Sequence, residues 1–211
     1  MTSIRRLAGI SVAAAGLAAS TAPAFAHHMM GGKIPSTLMQ GLLSGLGHPV
    51  IGVDHLLFII GVGLLGGILG RRLLLPIAFI SGTLGGTAAH LAGVGMAFAE
   101  LAVIGSVGLM AVAVVKGARL QVLPTAMLVA VAGLLHGYAY AESIFGAEPT
   151  PLCAYLIGFA TIQFVIAFTA GAVWQRLERR GSRLATAGLR TASTAMALFV
   201  VVAVGRIALS M

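Results

Sequence analysis

Beyond an N-terminal leader-like stretch, the chain alternates long apolar runs with short polar punctuation. The runs predict six helices, at about 50–69, 73–93, 97–115, 122–141, 151–173 and 188–207. Each is close to the roughly 20 residues that an apolar helix needs to cross a bilayer. The expected fold is all-α: a polytopic membrane protein with a six-transmembrane-helix bundle after signal-peptide removal. The first run is the irregular one. From Leu38 to Leu69 it would extend about 48 Å as a straight helix, too long for a single crossing. Pro49 lacks a backbone donor and Gly52 adds backbone freedom, so a regular helix is disfavoured there. A break near Gly47–Pro49 is expected, giving the interrupted helix found at many transporter binding sites.

Glycine falls largely inside these runs. There are 29 glycines in 211 residues, about twice the usual frequency. The pairs Gly63/Gly67, Gly66/Gly70, Gly82/Gly86 and Gly133/Gly137 have the small-x-x-x-small spacing that lets helices approach closely in lipid, so a compact bundle is expected.

Composition excludes a soluble domain. The chain is 59% hydrophobic and 9% charged, against about 25% charged in soluble globular proteins. The formal charge of +8 does not point to nucleic acid, because its sources mark topology. Arg71, Arg72, Lys116, Arg119, Arg176, Arg179, Arg180, Arg183 and Arg190 lie at exits from odd-numbered spans, against Lys33 and Arg206 on the other side. The positive-inside rule places those exits in the cytoplasm and both mature termini outside. A lone Cys153 excludes an intrachain disulfide and a thiolate metal cluster.

The N-terminus agrees with that orientation. Arg5 and Arg6, an apolar run from Leu7 to Ala19 and Ala24-Phe25-Ala26 form the pattern of a cleavable secretory signal peptide over residues 1–26. Residues 27–211 then form the membrane domain, beginning His27-His28. The expected location is the bacterial inner membrane, with mature N- and C-termini periplasmic.

Ionisable groups within a bilayer are costly, about 2.5–3.5 kcal/mol each on insertion scales. His48, Asp54 and His55 fall in the first run, His90 near the outer end of the second, His136 near the outer end of the fourth and Glu142 at its boundary. A single intramembrane histidine is more often a packing residue than a ligand, and Asp54 beside His55 could be a neutralising pair. Packing explains poorly why so many imidazoles share one depth. Imidazole and carboxylate without thiolate suit borderline divalent cations. His27 and His28 are candidates for metal capture at the mouth.

The string Gly47-His48-Pro49-x-x-Gly52-x-Asp54-His55-Leu56-Leu57-Phe58 resembles the HupE/UreJ family of nickel/cobalt permeases. A second motif of that family is matched in part by Leu135-His136-Gly137-Tyr138-Ala139-Tyr140-Ala141-Glu142. Tyr140 stands where the family motif usually has a histidine, and Glu142 sits one place before the usual glutamate. The resemblance implies a secondary transporter for nickel or cobalt, not an enzyme, with His48, Asp54, His55, His136, His90 and Glu142 as candidate ligands. The expected partners are a divalent metal ion, as substrate and not as a prosthetic group, and the lipid bilayer. A homo-oligomer is open; nucleic acid is not expected. The chain has no GxxxxGK[ST] phosphate loop, so no ATPase domain is expected in it. The competing readings are an intramembrane zinc-dependent hydrolase and a metal-delivery or assembly subunit.

Overall fold

The computed structural model describes residues 33–210. The expected leader, residues 1–26, and His27 and His28 lie outside the described residues. Among the described residues, seven α-helices follow in order: α1 (Leu38–Ile51), α2 (Val53–Ile68), α3 (Leu74–Leu91), α4 (Ala99–Lys116), α5 (Val122–Tyr140), α6 (Pro149–Arg180) and α7 (Ser182–Ser210). Single 3-10 turns, Gly117–Arg119 and Ala141–Ser143, follow α4 and α5. Among the described residues there is no strand. The segments Leu74–Leu91, Ala99–Arg119, Val122–Ser143, Pro149–Arg180 and Arg183–Ser210 are each long and apolar enough to cross a membrane, and α1 with α2 forms a bent pair that brings the number to six when the pair is counted as one span.

The helix break is displaced from its expected place. Pro49 lies inside α1, which runs on to Ile51, and the chain turns by 80° at Gly52. Pro49 lacks the N–H for one ladder hydrogen bond and its ring crowds the carbonyl four residues earlier, yet α1 continues beyond it to Ile51. Gly52 still donates to the His48 carbonyl at 3.1 Å, then leaves the helix with φ −72° and ψ 104°. The expected span 50–69 is therefore two helices meeting at an elbow.

The last two helices are longer than their apolar cores. The expected spans 151–173 and 188–207 become α6, 32 residues long, and α7, 29 residues long, separated by Gly181 alone. Gln175, Arg176, Leu177, Glu178, Arg179 and Arg180 have straight side chains with good helix propensity, and nothing interrupts them before Gly181.

Small residues determine which helices pair. A Cβ at Gly82 or Gly86 would strike the Ala130 or Leu134 carbonyl, and one at Gly133 or Gly137 would strike the Phe79 or Thr83 carbonyl, so α3 and α5 lie backbone to backbone. Gly41 and Gly45 sit equally close to the Pro151 and Tyr155 carbonyls, joining α1 to α6. Gly63 and Gly67 meet Ala167 and Gly171 in the same way, joining α2 to α6. Gly66 and Gly70 do otherwise: Gly70 turns the chain with φ +66°, and a Cβ there would meet nothing.

The central core packs Phe58, Ile59, Val62 and Leu65 of α2 against Phe79, Val107, Met110 and Met196. Leu109, Val115 and Leu128 are 73%, 72% and 70% exposed, so apolar side chains cover the outside as well as the inside. Such a surface suits lipid and would be a liability in water. The bundle also has two unlike ends. α2 leads into Arg71 and Arg72, α4 ends at Lys116, and α6 ends at Arg179 and Arg180. The start of α2, the end of α5 and the start of α6 meet at the opposite end, where the histidines lie.

Candidate metal site

The elbow at Gly52 brings two histidines of the first run together from separate helices. His48 lies one turn before the end of α1, and His55 lies in the first turn of α2. Their ring centroids are 6.0 Å apart. There is little spare room at the turn, since a Cβ on Gly52 would lie 2.6 Å from His55 Cδ2. Asp54, in the same first turn, accepts the His55 backbone N–H at 2.9 Å, and its Oδ1 lies 3.9 Å from His55 Nε2. A carboxylate here also offsets the positive end of the α2 dipole.

His136 completes the group from α5. Its Nδ1 lies 2.8 Å from His55 Nδ1, and its Nε2 lies 2.8 Å from Ser106 Oγ of α4. The residue is fully buried, with Phe58 and Phe79 against its ring. His48 and His55 are each 5% exposed. Three imidazoles from three helices thus converge beside one carboxylate. Among the described residues, no group of three or more His, Cys, Asp or Glu side chains is closed around a point that could hold a metal ion. His55 and His136 are in contact through their nitrogens; His48 stands back from them.

Tyr140 contributes to that separation. Its ring stacks on His55 at 4.0 Å and meets His48 edge-on at 4.9 Å. It is fully buried, and among the described residues its hydroxyl has no hydrogen-bond partner. Beyond it, His48 Nδ1 lies 2.9 Å from Ser143 Oγ and 3.3 Å from the Tyr155 hydroxyl. Phe159 packs edge-on against Tyr140. Together with Ile144, these residues form a second, smaller core beside the histidines.

Two candidate ligands lie elsewhere. His90, at the end of α3, packs on Tyr138 and Phe145, not on the three-histidine group. Glu142 is exposed on the 3-10 turn after α5, while its neighbour Ser143 is the buried residue that meets His48. A turn that tightens immediately after Tyr140 exchanges which of two adjacent side chains faces inward. Ser106, Ser143, Tyr140 and Tyr155 were not singled out as site residues from the sequence. Serine and tyrosine are ordinary in membrane helices, and only contact with histidine distinguishes these.

Comparison with known proteins agrees with the motif. Protein HupE of Rhizobium leguminosarum bv. viciae is 29% identical over 126 residues, covering 59% of this chain and 63% of that relative. The aligned part is thus less than two thirds of the relative's length. No solved structure matches the chain. The family described as HupE / UreJ protein matches residues 6–208, nearly the whole sequence, and the chain belongs to the HupE/UreJ family.

Proposed function

We propose that this protein is a permease that brings nickel, cobalt or both across the bacterial inner membrane through the His/Asp group at the α1–α2 elbow. The family is associated with nickel and cobalt uptake. One observation carries the reading: His48, His55 and His136 converge from three helices beside Asp54, at one end of a bundle built to face lipid. Neutral imidazole with a carboxylate suits a borderline divalent ion. Two imidazole nitrogens bound to one such ion, each about 2.0–2.1 Å from it, stand about 3.0–3.4 Å apart. The His55–His136 contact of 2.8 Å is close to that separation, and the proton held between the two nitrogens moves to His55 Nε2, beside Asp54, as the ion enters. His48 and Asp54 supply further donors as the ion sheds water. With the basic end of the bundle in the cytoplasm, the histidine end faces the periplasm and receives the ion first.

The test is accumulation of nickel and cobalt in cells expressing His48→Ala, Asp54→Ala or His55→Ala at wild-type protein level. Uptake falls to background in each. Unchanged accumulation in all three would end the proposal.

A further inference from the structure

Two buried serines touch the histidines in the same way, and each has its proton committed elsewhere. Ser106 Oγ donates to the Val103 carbonyl, three residues earlier on α4, at 2.7 Å. The carbonyl has no proton to give, so without the serine proton two lone-pair oxygens would face each other at that distance. A hydroxyl has one proton, so Ser106 Oγ accepts from His136 Nε2 at 2.8 Å. That places the His136 N–H on Nε2 and leaves Nδ1 as a lone pair. His136 Nδ1 lies 2.8 Å from His55 Nδ1, where it accepts the His55 N–H. Ser143 repeats the pattern with the Tyr155 hydroxyl beside it, 3.2 Å from Ser143 Oγ and 3.3 Å from both His48 Nδ1 and the Tyr140 carbonyl. Its Oγ donates to the Tyr140 carbonyl, three residues back, at 2.9 Å, and lies 2.9 Å from His48 Nδ1. His48 then carries its proton on Nδ1 and offers Nε2. These tautomers are assigned from the hydrogen-bond pattern.

We infer that Ser106 and Ser143 are positioning residues for the cation: they determine that His136 offers Nδ1, and His48 Nε2, to a divalent metal. The inference rests on the metal-site reading above. A neutral imidazole ligates only through its unprotonated nitrogen, and the partner of the other nitrogen decides which one that is. Without the Ser106 oxygen, His136 has no acceptor for its Nε2–H. The alternative tautomer, with its N–H pointing at the incoming ion, then becomes populated.

The test uses the purified full chain with nickel(II) or cobalt(II) alone as probe, comparing wild type, Ser106→Ala, Ser106→Thr, Ser143→Ala and His136→Ala. Affinity is read by titration, and the metal-free imidazole tautomers by nitrogen NMR. Ser106→Ala lowers affinity about 10–100-fold, the usual cost of removing a group that orients a metal-ligating histidine, and mixes the His136 tautomers. Ser106→Thr, which keeps the hydroxyl, restores both. Ser143→Ala does the same at His48. The inference is overturned if metal-free wild type carries its His136 proton on Nδ1, or if Ser106→Ala and Ser106→Thr lose affinity equally. It is also overturned if Ser106→Ala binds like wild type while His136→Ala does not, an outcome that leaves the metal site standing. If His136→Ala itself binds like wild type, the metal-site reading falls and takes the inference with it.

Discussion

Two glycines break helices in this bundle, for opposite physical reasons. Gly52, between α1 and α2, has φ −72° and ψ 104°, a conformation open to any residue, but a Cβ there would collide with the His55 ring. Gly181, between α6 and α7, has φ +148°, which side-chain-bearing residues rarely adopt, yet a Cβ would meet nothing within 4 Å. One glycine is required by space and the other by backbone conformation. The crowded elbow carries the histidines, whereas the open one lies among arginines at the far end. The break at the histidines thus differs from the break among the arginines in what its missing side chain would touch.

That contrast can be broken by substitution. The largest effect is expected from Gly52→Ala: the chain keeps its helices but His55 is displaced, and metal uptake falls at least about tenfold, since a misplacement of about 1 Å can cost 10²-fold. Pairing it with His55→Ala sharpens the point. The stability lost in Gly52→Ala is recovered when the ring is removed, with a coupling of about 0.5–3 kcal/mol in a double-mutant cycle, while uptake stays absent. Additive stabilities would mean that the elbow is crowded by something other than His55.

Gly181→Ala should do the reverse. Strain at an unfavourable φ costs about 1–3 kcal/mol, read as a lower melting temperature in detergent, while uptake per folded molecule stays at the wild-type rate. A loss of uptake without a loss of stability would show that the two breaks are coupled. Acidification acts at the histidine end. Ligating imidazoles must be unprotonated, so uptake weakens on acidification; an uptake rate that rises as pH falls contradicts imidazole ligation. The smallest effect is expected for Pro49→Ala. Pro49 sits within α1 and does not make the turn, so uptake remains near wild type, and a strong loss would move the functional bend back to the proline.

Much of the architecture was legible in the sequence because lipid imposes a simple rule. A helix must be apolar for about 20 residues, so α3, α4 and α5 begin and end within a few residues of the expected spans. Glycine spacing likewise marked Gly82/Gly86 and Gly133/Gly137 as places of close approach in a compact bundle, because only small residues permit it, while the pairing of α3 with α5 comes from the structure. Gly41 and Gly45 share that spacing and were not picked out, since they precede the expected first span.

The site was legible in depth but not in direction. Counting along helices places His48, His55, His90 and His136 at one level, and three of the four do converge. His90 does not, because helices that are apolar all round carry no polar stripe to say which way a given residue faces. Glu142 is outside and Ser143 inside for a related reason: the 3-10 turn after Tyr140 changes the angular step between neighbours.

The amino-acid sequence by itself determined that this chain is a helical membrane protein, which end of its bundle is basic, and which rare residues lie at its other end. These follow from hydropathy, charge and spacing, all of which are one-dimensional. Only the tertiary structure decided that the first run turns at Gly52, that Ser106 and Ser143 meet His136 and His48, and that Tyr140 lies against both elbow histidines. Those facts depend on how helices rotate about their own axes when small residues lock together, a choice made by packing between distant segments.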